Sequence, residues 1–297
     1  MKLLFIVNPT AGGGRGLRTW RVVEQALAVR GLPADVRFTE RRDSATELAA
    51  QGRHNGYETI VGVGGDGTLQ EIVNGLIDAE GRCQATLGII PGGTGNDFSK
   101  MLAYPQNPVR ALDVVLDSVV RQLDLGRASG RFFINIAGVG FDAEVVRFLN
   151  QRPKRLPAAV TYVSGVLRML FRFSPRLLTL EFGGETLRQK CLLVSVANGP
   201  SHGGGLRMCP EAKPDDGLFD LCVAGDFGRL ETVRMLPLVF KGRHTTHPKV
   251  KMYRGVKKVR ISSDMPLYVH ADGEILGQTP TEMEIVPGAL RVIVPRQ

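Results

Sequence analysis

Apolar residues recur along this chain in two rhythms, and the rhythm changes near residue 130. In the first part, short buried-type runs alternate with stripes at helical spacing. Leu3–Val7, Ala34–Phe38, Thr59–Val63 and Leu87–Ile90 read as strands. Between them, Val22, Val23, Ala26 and Leu27 mark one helix, from about Gly16 to Arg30. Leu69, Ile72, Val73, Leu76 and Ile77 mark another. Ser44 with Glu47, and Thr68 with Glu71, have the spacing of capping boxes at two helix starts. Strands alternating with helices predict a three-layer α/β domain with a mainly parallel sheet.

Beyond residue 130 the runs are short, β-rich and separated by turn residues. They are Phe132–Ile136, Leu177–Phe182, Leu192–Ala197, Leu218–Val223, Val256–Ser262, Pro266–His270, Glu282–Val286 and Leu290–Val294. Helical insertions are expected at Ala158–Phe171 and Gly228–Phe240. This texture predicts a β-sandwich. The expected domains are 1–128 and 129–297, with the final strands free to return toward the first domain.

Composition narrows the picture a little. The net charge of +9 favours an anionic partner: a nucleotide, a nucleic acid or an acidic membrane surface. The four cysteines are widely spaced without a Cys-x-x-Cys pair, as in a cytosolic protein with reduced thiols. The apolar run at the N-terminus stops at Asn8-Pro9, too short for an export signal. Arg168 and Arg172 interrupt the best candidate for a membrane span. The expected location is cytoplasmic, with transient membrane association.

The segment Val61–Thr68 carries the first chemical signal. It contains Gly-x-Gly-x-x-Gly at Gly62, Gly64 and Gly67. A dinucleotide fold would also need an acidic residue about 20 positions on, where this chain has the glycine-rich Pro91–Gly95 loop. No Gly-x4-Gly-Lys-Ser/Thr loop occurs either. What remains is a strand, a glycine turn and a helix start, which together suit phosphate. Asp66 among anion-binding amides makes sense beside Mg²⁺ or in proton handling. The plainer reading is a tight turn in which Asp66 stabilises the helix start.

Three motifs in order, Asn8-Pro9-Thr10-Ala11-Gly12, Gly64-Gly65-Asp66-Gly67-Thr68 and Pro91–Asp97, resemble the diacylglycerol kinase catalytic domain. The resemblance continues through Asn198-Gly199, Gly203–Gly205, Cys209-Pro210, Asp215–Leu218 and Asp272-Gly273-Glu274, and so spans nearly the whole chain. It implies a soluble lipid kinase related to sphingosine and ceramide kinases, with ATP and Mg²⁺ as cofactors and an active site in an interdomain cleft. ATP is then expected near Asn8, Pro9, Thr10, Ala11, Gly12, Thr39, Gly65, Asp66, Gly67, Thr68, Leu69, Gln70, Glu71 and Thr94. The resemblance implies a structural Mg²⁺ at Asp216 and the carbonyls of Lys213 and Leu218, with Asp124 in a water network linking it to Asp66. It also implies an acid that takes the proton of the acceptor hydroxyl: Glu274 foremost, with Asp272 and Asp66 in the same network. Read alone, Asp272-Gly273 is a hairpin turn, a role compatible with catalysis. His244 and His247 read as solvated loop residues with no carboxylate or cysteine nearby, and His202 as a residue that could line the cleft.

Two segments are basic and free of acids: Lys241–Arg260, and Arg147–Arg176 around an apolar helix. Such a helix either docks on an anionic bilayer or packs in the core with solvated arginines. Aromatic platforms and recognition motifs for nucleic acid are absent from the sequence. The expected activity is transfer of the γ-phosphoryl group of Mg-ATP to a lipid hydroxyl, on diacylglycerol, phosphatidylglycerol or a similar lipid. An NAD kinase-like phosphotransferase and a non-catalytic lipid- or nucleotide-binding regulator are the alternatives. Oligomeric state is not legible.

Overall fold

The computed structural model describes residues 2–78, 81–117, 119–151 and 158–296. Met1–Leu123 with Gly288–Gln297 form one compact unit, and Asp124–Pro287 form a second. Unit 1 runs β1 (Leu3–Val7), α1 (Ala11–Val29), β2 (Asp35–Phe38), α2 (Ser44–His54), β3 (Thr59–Gly64), α3 (Asp66–Leu76), β4 (Thr86–Pro91), α4 (Asp97–Met101) and α5 (Pro108–Asp117). The chain leaves it within β5 (Val120–Ala128). Unit 2 continues with β6 (Arg131–Phe133), β7 (Ile136–Gly140), α6 (Phe141–Asn150), α7 (Ala158–Met169), β8 (Arg176–Phe182), β9 (Glu185–Cys191) and β10 (Leu193–Ala197). It ends with β11 (Phe219–Ala224), α8 (Arg229–Phe240), β12 (Val250–Val256), β13 (Lys258–Ser263), β14 (Tyr268–Ala271), β15 (Glu274–Gln278) and β16 (Thr281–Ile293), whose last residues return to unit 1.

In unit 1 the strands lie parallel in the order β2-β1-β3-β4, and Val292 of β16 pairs in parallel with Leu87. Their apolar runs are continuous because helices cover the sheet; β1, β3 and β4 are buried along their whole length. Val7 pairs with Val63 and Gly64 with Pro91, so the loops after β1, β3 and β4 leave the sheet at one edge. Loops at the carboxyl ends of parallel strands are where such sheets bind ligands.

Unit 2 is an antiparallel sandwich. One sheet runs β12-β11-β10-β7-β14-β15, and the facing strands run β16-β13-β8-β9. Val139, Val194 and Val196 of the first meet Leu180, Val259, Ile261 and Met283 of the second in a single apolar core. The other face of β10 is also buried. Leu193 and Ala197 pack with residues of α6, α7 and α8, including Phe141, Val166 and Met235.

The caps and several strand limits differ from the expected pattern. α2 starts behind Asp43, which takes a left-handed φ of 62°; the Ser44 hydroxyl accepts the Glu40 N–H, and Glu47 pairs with Arg41. α3 starts two residues before Thr68, at Asp66, so Thr68 is buried inside the helix and its hydroxyl accepts the Asn8 amide at 3.0 Å. Glu71 caps a neighbour instead, accepting the Ala45 N–H at the start of α2 at 3.2 Å. Phe132–Ile136 is two strands, because the N–H groups of Ile134, Asn135 and Ile136 turn to the Asp272 carboxylate. Val256–Ser262 divides between β12 and β13, and the last two expected strands fuse through Pro287-Gly288 into β16. Of the Arg147–Arg176 basic segment, Arg152, Lys154 and Arg155 lie outside the described residues. In the other segment Lys249, Arg254 and Lys258 are paired with Glu231, Glu211 and Glu282. No helix among the described residues is long and apolar enough to cross a membrane.

Candidate active site

Three loops meet at the carboxyl edge of the unit 1 sheet. Gly12, Gly13 and Gly14 wind left-handed at φ 56°, 67° and 86°, a course that glycine takes without strain. Asn8 ties this loop down: its Oδ1 accepts the N–H groups of Thr10 and Ala11, and its Nδ2 reaches Thr68. The glycines are required first by the approach of backbone to backbone. A Cβ on Gly93 would lie 2.3 Å from the Cα of Gly65, and one on Gly16 would lie 2.0 Å from the Asn8 carbonyl oxygen. Two amides of the third loop are spent internally: Gly92 N–H donates to Gly64 O at 2.7 Å and Gly93 N–H to Asn96 Oδ1 at 3.0 Å. Gly62 admits the α3 residues Leu69 and Ile72 against β3, a packing role.

Asp66 stands at the start of α3, and its Oδ1 accepts the Phe98 N–H at the start of α4 at 2.9 Å. Among the described residues its Oδ2 has no hydrogen-bond partner. Arg15, which sequence reasoning passed over, donates to Gly93 O at 2.9 Å and places a guanidinium against the third loop. A lone arginine inside a glycine run was the signal that could have found it. Thr10, Gly67 and Thr94 are exposed, while Pro9, Ala11, Gly12, Thr39, Gly65 and Glu71 are half-buried. Thr39 follows β2, with its N–H on Val7 O. Leu69 and Gln70 are buried side chains, and the Leu69 N–H already donates to Gly65 O at 3.1 Å, so Leu69 offers a nucleotide no free donor.

The acids of unit 2 divide sharply. Asp272, at φ 45°, accepts from Ile134 N–H at 2.5 Å, Asn135 N–H at 3.0 Å and Ile136 N–H at 3.1 Å. That carboxylate is committed to holding a loop, which explains the strained backbone beneath it. The same loop is gripped by Asn198, whose Nδ2 donates to Ile134 O and Asp124 O. Asp124 lies inside β5 rather than after a strand, and its Oδ2 accepts the Gly217 N–H at 2.7 Å. It thereby positions the turn that carries Asp216. Glu274 is differently placed: its Oε2 takes Arg131 at 3.1 Å, and its side chain is 13% exposed. Asn150 at the end of α6 donates to Gly273 O, fixing the turn.

Asp216 is exposed, and its Oδ1 accepts the Leu218 N–H at 3.1 Å; Lys213 is exposed and Leu218 half-buried. Burial, with the charges of Asp216 and Glu211, pushes the neighbouring Asp220 carboxyl up against the pull of Arg254. One carboxylate among turn carbonyls, in a place crowded with negative charge, fits a hard cation.

Among the histidines, His244 departs furthest from expectation. His244 is buried, with Nε2 at 3.0 Å from Met208 O and 3.7 Å from Cys222 Sγ. His270 is fully buried beside Asp142 at 3.2 Å, and the His202 ring stacks on it with centroids 6.0 Å apart. Burial and the adjacent His270 push the His202 imidazole down to about 4. Tyr162 closes the row edge-on against His202. Tyr162 also borders an apolar cavity of about 70 Å³ between the sheet and the helices, lined by Phe141, Val166, Leu193, Met235 and Leu236.

Comparison with known proteins accounts for this arrangement along the whole chain. Residues 2–128 match the diacylglycerol kinase catalytic domain. Residues 135–294 match the YegS C-terminal NAD kinase beta sandwich-like domain. A diacylglycerol kinase of Staphylococcus saprophyticus is 32% identical over 93% of this chain and 89% of its own. One of Bacillus subtilis is 29% identical over 98% and 96%. The crystal structure of a diacylglycerol kinase from Bacillus anthracis str. Sterne superposes with a TM-score of 0.75 at 26% identity, covering 99% of this chain and 97% of that one. With an α/β unit of glycine loops joined to an antiparallel sandwich, and relatives matched over nearly their full length, the chain belongs to the diacylglycerol kinase family and is a lipid kinase.

Proposed function

We propose that this lipid kinase uses ATP and Mg²⁺ to phosphorylate the hydroxyl of a glycerolipid, diacylglycerol or a close analogue such as phosphatidylglycerol. Unit 1 holds the nucleotide phosphates with its three loops, where the α3 N-terminus and Arg15 supply positive potential. Asp66, with one oxygen bound to Phe98 N–H, offers the other to the cation that accompanies ATP. Mg²⁺, when bound, neutralises charge developing on the transferred phosphoryl group. In unit 2 a second cation would be held by Asp216 with the carbonyls of Lys213 and Leu218. Glu274, oriented by Arg131, is the base that draws the proton from the acceptor hydroxyl. Asp272 positions the turn that bears it.

The observation that carries the choice of a lipid acceptor over a soluble dinucleotide is the apolar cavity beneath α7 and α8. It has no use for a nicotinamide or a ribose, but it suits an acyl chain. As it stands it holds only a few methylene groups. The facing residues Tyr162, Met235, Leu236 and Val239 are half-buried, and Pro237 removes a hydrogen bond from α8. An acyl chain enters by spreading these helices. The names of the relatives, all diacylglycerol kinases, support the same acceptor.

The reading is tested by offering micellar diacylglycerol, phosphatidylglycerol and soluble NAD to the wild type and to Leu236→Trp, which fills the cavity. The expected result is labelled diacylglycerol, no labelled NAD, and a raised KM for the long-chain lipid in the variant with the KM for ATP unchanged. Labelling of NAD alone, or an unchanged lipid KM in Leu236→Trp, would remove the acyl-chain assignment.

A further inference from the structure

Unit 2 has a second cavity, of different character. It encloses about 330 Å³, is lined mainly by polar atoms and is bordered by Glu144, Arg147, Arg172, Arg176 and Met265. Glu144 accepts Arg147 Nε at 3.0 Å, and the Arg147 guanidinium lies over the Tyr268 ring at 4.7 Å, so this arginine is held in place. Arg172 and Arg176 have no carboxylate partner among the described residues. Three guanidinium groups against one carboxylate leave the lining with two surplus positive charges. Guanidinium forks match the oxygens of a phosphate in pairs, and two surplus charges match a phosphomonoester, which carries about −2.

The chain that carries Arg172 also holds apolar side chains out to water, and they say where that phosphate comes from. Phe171, next to Arg172, is 69% exposed, and Val160 and Leu167 of α7 are 51% and 45% exposed. Arg229 of α8 lies over the Phe171 ring at 5.5 Å, and its neighbour Leu230 is 73% exposed. A free anion gains nothing from apolar side chains held out to water. A headgroup presented by a bilayer does, because the side chains bury into the interface as the arginines close on the phosphate.

We propose that the arginine cavity of unit 2 binds the phosphate headgroup of an anionic lipid and prefers a phosphomonoester, the chemical class of the enzyme's own product. The site rests on the lipid-kinase reading only for that identification of the product. It would hold the enzyme on surfaces where its product accumulates.

The test is sedimentation with vesicles in the absence of nucleotide, so that failure here is separable from failure of catalysis. Phosphatidylcholine vesicles carry either phosphatidic acid or phosphatidylglycerol, adjusted to equal surface charge. The wild type is expected to partition more strongly to phosphatidic acid. Arg172→Lys/Arg176→Lys keeps the charge and is expected to lose that preference while binding phosphatidylglycerol vesicles as before. Arg172→Ala/Arg176→Ala is expected to weaken binding to both, by about fivefold per arginine. Thermal unfolding checks that both variants fold. Equal partition of the wild type to the two vesicles, or a preference retained by the lysine variant, would overturn the proposal. Inorganic phosphate titrated without vesicles forms the remaining arm. Saturable binding that the lysine variant loses, with no vesicle preference in the wild type, would assign the cavity to a soluble anion and overturn the lipid assignment.

Discussion

The glycine loops of unit 1 and the acid-bearing turn of unit 2 solve the same problem with opposite materials. Both hold irregular backbone rigidly in place. Unit 1 does so by removing side chains: Gly93 lies so close to Gly65 that a Cβ would stand 2.3 Å from its Cα. Unit 2 does so by committing side chains: Asp272, Asn198 and Asp124 each pin backbone distant from them in sequence. Close packing of backbone tolerates no added atom. A side-chain anchor tolerates no removed one.

The contrast predicts which changes hurt most. Asp272→Ala leaves three successive N–H groups without their acceptor, and its expected cost is on the order of 4 kcal/mol by chemical denaturation. A loss near zero would mean that water replaces the carboxylate and that the anchor is dispensable. Next comes pH. His202 is neutral when buried, with a folded value of about 4 against an ordinary 6.5, so the unfolded chain binds the proton first. Stability is intact above about 6.5 and falls as pH drops toward 4, by about 3 kcal/mol at full extent. His202→Gln should flatten that slope; a slope unchanged in the variant would place the proton uptake elsewhere. His54, the histidine of unit 1, is exposed. The smallest effect on stability is expected for Gly93→Ala, roughly 2 kcal/mol from overpacking, accompanied by loss of nucleotide affinity as the loops part. Full affinity for ATP in that variant would separate the loop contact from phosphate binding.

The two materials also differ in how they show in sequence. Glycine clusters between a β-branched run and a helical stripe mark the unit 1 loops without any knowledge of long-range contacts, and the four strands before residue 92 are legible for the same reason. Arg15 was passed over because its partner, a carbonyl of Gly93, is 78 positions away. In unit 2 the anchoring bonds join residues more than 60 positions apart. Nothing local distinguishes Asn198 from a turn asparagine. Asp272-Gly273 announces a turn, but not the three N–H groups it receives. The capping boxes failed for a related reason: Glu71 satisfies the start of another helix, and pattern matching along one segment cannot see across to it. His244 was misread because a polar residue in a loop-like stretch gives no sign of the apolar shell that closes over it.

The proposed function rests on Asp66 and the glycine loops serving phosphoryl transfer to a lipid. Its most direct test is the transfer of labelled γ-phosphate from Mg-ATP to micellar diacylglycerol by the wild type and by Asp66→Asn, compared at equal folded concentration. Labelled lipid is expected with the wild type, and a loss of at least about a hundredfold in the variant, the scale of removing a positioned charged group. Equal labelling by both proteins, or no labelled lipid from a folded wild type that binds ATP, would contradict it.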